Sequence, residues 1–84
     1  MLFPISLFKI GKSPTRADFY VQDNTAISRV HAEIRIRDGH YYLADLGSKN
    51  GTYVYGQQIA AEQEVEITDG TTFQLSDETF VFSV

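Results

Sequence analysis

Cysteine is missing from this chain, so it has neither a disulfide framework nor a thiolate metal site, and nothing in it requires an oxidising compartment. A cytoplasmic location is therefore the default expectation. Long apolar runs are missing too, and none approaches the roughly 20 residues that span a bilayer. The apolar start, residues 1–10, is broken by Pro4 and Lys9. It has no basic segment ahead of it and no small-residue cleavage site, so it reads as a first strand and not as a signal peptide. A soluble chain with no membrane partner is expected. Basic excess is also lacking: the net charge is −4, which argues against nucleic acid as a partner, because such binders gain affinity from counterion release. The shortage of bases is uneven. All seven lie at or before Lys49 beside five acids, an excess of two, whereas residues 50–84 carry six acids and no base. An anion site belongs in the first part. No window sustains a helical stripe of apolar residues, which leaves little room for a helical fold.

What the chain does contain is a surplus of strand formers. Its 84 residues include five Tyr and six Phe, and 43% are hydrophobic; that is enough for one small folded domain, residues 1–84, with no length for a second. The clearest strand is Ala32-Glu-Ile-Arg-Ile-Arg37, in which Ala32, Ile34 and Ile36 share a core face while Glu33, Arg35 and Arg37 face water. Asp38-Gly39 follows as a tight hairpin turn, and residues 41–46 return antiparallel. Further strands are expected over 5–10, 18–21, 52–54, 64–67, 71–75 and 79–84. Such even spacing of short strands predicts an all-β sandwich or barrel. Three polar loops remain, residues 11–17, 22–29 and 47–51, and binding residues concentrate on loops held by a rigid scaffold.

In the first loop, Gly11-Lys12 follows directly on a strand; alone, this is usually a turn with a solvated lysine. The second loop ends in Ser28-Arg29-Val30-His31, setting a hydroxyl donor beside a guanidinium able to fork onto phosphate or carboxylate. A serine nucleophile with His31 as its base is disfavoured because there is no nucleophile elbow, so the chain is not expected to be an enzyme. His31 and His40 lack metal-ligand company, so neither a metal nor a cofactor is expected. The third loop, Gly47-Ser-Lys-Asn-Gly-Thr52, joins mobile glycines to Ser, Lys and Asn, which supply donors and an amide that can pair with an extended peptide.

Taken as an ordered set, these elements resemble the forkhead-associated (FHA) domain family: Gly-Lys, then Ser-Arg-x-His seventeen residues after Gly11, then Ser-Lys-Asn-Gly-Thr twenty residues after Ser28. Ala17-Asp18-Phe19, Asp45-Leu46 and Asp69-Gly70 extend the resemblance over nearly the whole chain. It implies an eleven-stranded β-sandwich of two antiparallel sheets whose loops recognise phosphothreonine, without catalysis. The implied phosphopeptide-binding residues are Lys12, Ser28, Arg29, Lys49 and Asn50, while Gly11, His31 and Gly51 are implied to hold the loops in shape. The implied partner is a phosphothreonine-containing protein or peptide made by a Ser/Thr kinase, bound by a monomeric domain in kinase-dependent signalling. The alternative is a structural module of a larger assembly, such as a secretion apparatus, with no phosphate dependence. Three positions depart from the family's pattern. Lys12 stands for an arginine, Lys49 for a Ser or Thr, and Tyr55 for an asparagine.

Overall fold

A computed structural model describes residues 6–84, and all of its regular structure there is β. The strands are β1 (Ser6–Gly11), β2 (Phe19–Tyr20), β3 (Ala32–Arg37), β4 (His40–Asp45), β5 (Thr52–Val54), β6 (Gln57–Gln58), β7 (Glu64–Ile67), β8 (Thr72–Leu75) and β9 (Glu78–Val81). They form two sheets, a five-stranded one in the order β2-β1-β3-β4-β7 and a four-stranded one in the order β6-β5-β8-β9. Between them lies a core of Ile10, Val21, Ile27, Ala32, Ile34, Leu43, Val54, Ile59, Ile67, Phe73 and Leu75. Among the described residues, no helix is long and apolar enough to cross a membrane.

The expectation of eleven strands in antiparallel sheets needs two corrections. Nine strands are present among the described residues, because the second loop directs its backbone hydrogen bonds to other loops and no described strand pairs with the outer edge of β9. The first sheet is mixed: β1 and β2 run parallel, with Ile10 opposite Phe19. Loop one carries the chain back to the start of β2 instead of reversing it in a tight turn. Residue 5, expected in the first strand, lies outside the described residues.

The β3–β4 hairpin forms as its sequence predicts. Arg37 pairs with His40 across Asp38 and Gly39, which take φ of 51° and 76°, the doubly left-handed turn that matches strand twist. The alternation along β3 holds for Ala32 and Ile34, but Glu33, on the other face, is also buried, at 6% exposure. The cause is Arg35, whose Nε donates to Glu33 at 2.6 Å and whose remaining nitrogens reach Glu62 at 2.7 Å and Glu64 at 3.0 Å. Arg37 also binds Glu64, at 2.6 Å. Hydrogen bonds from Arg37, then Arg35, bring the Glu64 carboxyl down to about 2.

The register places the three polar loops at one end of the sandwich. Ile10 pairs with Ala32 and Ala32 with Asp45, so β1 ends, β3 begins and β4 ends at the same level. Thr52 starts β5 just after the chain crosses to the other sheet.

Tyr55 and Gly56 close the β5–β6 hairpin with φ of 52° and 79°. A left-handed tyrosine is strained by roughly 1 kcal/mol, whereas asparagine tolerates that region. The Tyr55 hydroxyl bonds Thr71 Oγ1 at 3.2 Å, which offsets part of the strain. We expect Tyr55→Asn to raise stability by about 0.5–1 kcal/mol in urea unfolding; a loss of stability would show that the hydroxyl contact outweighs the strain.

Candidate phosphate-binding site

Backbone hydrogen bonds tie loop one to loop two. Lys12 N–H donates to Ser28 O at 3.0 Å and Ser13 N–H to Arg29 O at 3.1 Å. Gly11 permits this approach. A Cβ built there would lie 2.0 Å from Arg29 O and 2.6 Å from its carbonyl carbon, so only glycine fits between the two loops.

His31 joins loop two to loop three. It is fully buried, and both of its ring nitrogens are taken by main chain. Nδ1 accepts from Ser28 N–H at 3.0 Å, and Nε2–H faces Gly51 O at 2.8 Å. Only the neutral ring protonated at Nε2 satisfies both contacts. The Ser28 hydroxyl therefore has no base at His31, whose acceptor nitrogen is held by the Ser28 amide. Burial lowers the His31 pKa, against the raising effects of the Gly51 carbonyl and the Asp45 charge.

Loop three is built around Asp45, 4% exposed at the end of β4. Its Oδ1 accepts from Ser48 Oγ at 2.5 Å and Thr52 Oγ1 at 2.7 Å; its Oδ2 accepts from Gly47 N–H at 2.9 Å and Ser48 N–H at 3.1 Å. Burial alone raises this carboxyl, but the Ser48 and Thr52 hydroxyls and the two amides outweigh it and hold the pKa below the usual carboxylate value. Ser48 Oγ also receives Gly51 N–H at 3.0 Å. Gly51 has a φ of 90°, and a Cβ there would lie 2.8 Å from Gln58 Nε2. Asp45, Ser48 and Thr52 stand in the motifs quoted above but not among the candidate site residues, and their convergence on one carboxylate shows only in the fold. The available signal was a carboxylate ending a strand, followed within seven residues by Gly, Ser and Thr.

On this frame the five candidate binding residues come together. Ser28 Oγ accepts from Lys49 N–H at 3.2 Å, and its own hydrogen has no acceptor among the described residues. Asn50 Nδ2 donates to Ala26 O at 2.8 Å, leaving its oxygen open. Lys12 Nζ lies 3.4 Å from Thr25 O. Arg29 and Lys49 are exposed. Whereas Arg35 and Arg37 are held by glutamates, Lys12, Arg29 and Lys49 have no carboxylate partner among the described residues. The result is a hydroxyl donor and three uncompensated cations at one end of a rigid sandwich, an arrangement suited to a multivalent oxyanion. Tyr55, at the far end of β5 from loop three, takes no part.

The family model for the FHA domain matches residues 8–76. Among curated relatives, the oxoglutarate dehydrogenase inhibitor of Corynebacterium efficiens is 48% identical over 44 residues, which cover 52% of this chain and 30% of that protein. The glycogen accumulation regulator GarA of Mycolicibacterium smegmatis is 41% identical over 49 residues, covering 58% of this chain and 30% of that protein. The matched part thus spans less than a third of the length of either relative. Among solved structures, one from a structural and functional analysis of phosphothreonine-dependent FHA domain interactions superposes with a TM-score of 0.82 at 32% identity, over 98% of this chain and 80% of the other. The FhaA FHA domain complexed with the intracellular domain of Rv3910 gives a TM-score of 0.79 at 32% identity, over 96% of this chain and 84% of that one.

Two outcomes test the frame. Gly11→Ala should cost about 2–3 kcal/mol, because backbone must move to admit the methyl; a cost below about 0.5 kcal/mol would mean that loops one and two are not held together. For His31, the folded pKa lies below the ordinary value of 6.5, so between the two the unfolded chain binds more protons. Stability should then be complete above about pH 7.5 and decline as pH falls through 6.5 towards the folded pKa. Chemical unfolding from about pH 7.5 to 5 should show this slope, and His31→Asn should remove its part of it.

Proposed function

The chain belongs to the FHA domain family, and from that premise we propose that it is a non-catalytic module that binds phosphothreonine in an extended peptide of a partner protein. The observation that carries this reading is the Ser28 hydroxyl, bonded to the Lys49 amide with its hydrogen unclaimed among the described residues, on loops that carry three cations without counter-ions. A phosphothreonine brings about −1.5 to −2 charges and three acceptor oxygens. Ser28 donates to one oxygen, while Lys12 and Arg29 neutralise the charge. Lys12 contributes charge without the bidentate fork of an arginine, so Arg29 carries the geometric recognition. The open oxygen of Asn50 accepts a peptide N–H and sets the peptide's register.

Charge-assisted hydrogen bonds contribute roughly 1.5–3 kcal/mol each. Three or four of them, less the cost of ordering the peptide, give an affinity near micromolar, about −8 kcal/mol. Such a module binds and releases as a kinase and a phosphatase write and erase the mark. The names of the relatives, an inhibitor and a regulator, support a regulatory role; a cytoplasmic, monomeric reader in kinase-dependent signalling is the form of it we propose. A scaffold without phosphate dependence would give the three unpaired cations and the free hydroxyl no role.

Titration with a phosphothreonine peptide should shift the amide resonances of Ser28, Arg29 and Asn50, and its unphosphorylated twin should not. Arg29→Ala should lower affinity at least about tenfold, the loss of one charge-assisted contact, while leaving the unfolding midpoint in place. Equal responses to the two peptides would overturn the reading.

A further inference from the structure

We propose that the ligand of this site carries a second anionic group close to the phosphothreonine, and that Lys49 recognises it. The proposal rests on the phosphothreonine reading above and extends it from one charge to two.

Charge balance is the first observation. Lys12, Arg29 and Lys49 stand on the three loops that meet at Ser28, and none has a carboxylate partner among the described residues. A phosphate of about −1.5 to −2 charges compensates two of these three, and Arg16 of loop one, also without an ion pair among the described residues, adds to the positive charge left over. None of the acids at this end, Asp23 of loop two included, forms an ion pair with these cations among the described residues. Asp45 is buried and accepts from four donors. Asp77 and Glu78 both receive the Asn24 amide, at 3.1 and 2.9 Å. Nothing within the described chain neutralises Lys49.

Reach is the second observation. The Lys49 main chain is fixed one hydrogen bond from the phosphate donor, through its N–H on Ser28 Oγ. A short hydroxyl at this position would touch the phosphate itself. A lysine stem carries its ammonium several bonds further, beyond the phosphate and over a neighbouring residue of an extended peptide. Lys12 is differently placed, since its ammonium lies against Thr25 O in loop two. The residue that meets Lys49 is therefore an anion, and either the carboxylate of Asp or Glu or a second phosphate supplies that chemistry.

Fluorescence anisotropy on one neutral peptide backbone tests this. The peptides carry phosphothreonine alone, phosphothreonine with a single Glu moved through three positions on each side, or phosphothreonine with phosphoserine at the best of those positions. One Glu position should tighten binding about threefold to fivefold, as for an exposed ion pair, and phosphoserine there should tighten it further, about tenfold. If Glu and phosphoserine are equivalent, the natural ligand is acidic; if phosphoserine is clearly better, it is doubly phosphorylated. In Lys49→Ser the Glu gain should fall below twofold relative to that variant's own neutral phosphopeptide, and in Lys49→Glu it should become a penalty. No gain at any position, or an undiminished gain in Lys49→Ser, overturns the proposal. Equal binding of the phosphorylated and unphosphorylated neutral peptides is a separate result that overturns the phosphothreonine reading beneath it.

Discussion

The imidazole of His31 is the contact on which the binding end of this sandwich depends. One nitrogen holds the amide of Ser28 and the other faces the carbonyl of Gly51, so a single buried ring ties together the ends of two site loops. Its neutral, Nε2-protonated form is the only one that satisfies both, and burial maintains that form. Gly51 O in turn receives Ser76 N–H at 2.9 Å, which extends the tie to the β8–β9 turn. The histidine contributes no chemistry to a ligand. It sets where the protein's loop donors stand.

Around this contact the remaining constraints divide into two kinds. Gly11 acts by absence, giving up a side chain so that Lys12 and Ser13 can reach the loop-two carbonyls. Asp45 acts by charge: a buried carboxylate must be paired or hydrogen-bonded, and here it gathers Gly47, Ser48 and Thr52 into the turn that presents Lys49 and Asn50. The loops of the candidate site are thus held by contacts within the chain itself, and donors fixed in advance spare a complex part of its ordering cost.

Much of this was legible in the sequence where local pattern and turn chemistry agree. The β3–β4 hairpin was readable because Ala32 and Ile34 alternate with charge and Asp38-Gly39 demands a left-handed turn. β6 was not, because Gln57 and Gln58 show no apolar face and the turn before it uses an unfavourable tyrosine. The burial of Glu33 depends on Arg35 folding over it, a tertiary event that periodicity does not record. The loop residues of the site were found as spaced motifs. Asp45 appeared only as a family marker, since its importance comes from four donors that converge on it in space. The strand count and the parallel β1–β2 pair lay beyond local pattern, because edge pairing depends on what the loops do with their backbone groups.

Three loops locked into one site before any ligand binds should be visible in amide hydrogen exchange of the free domain. The amides of Lys12, Ser13 and Lys49, hydrogen-bonded across loops, and that of Ser28, held by the His31 ring, should be protected to a degree comparable with the central β3 and β4 amides, and Ser28 should lose protection first as pH falls below 6.5. Exchange of these four at the rate of an unstructured loop, while β3 and β4 stay protected, would contradict the account.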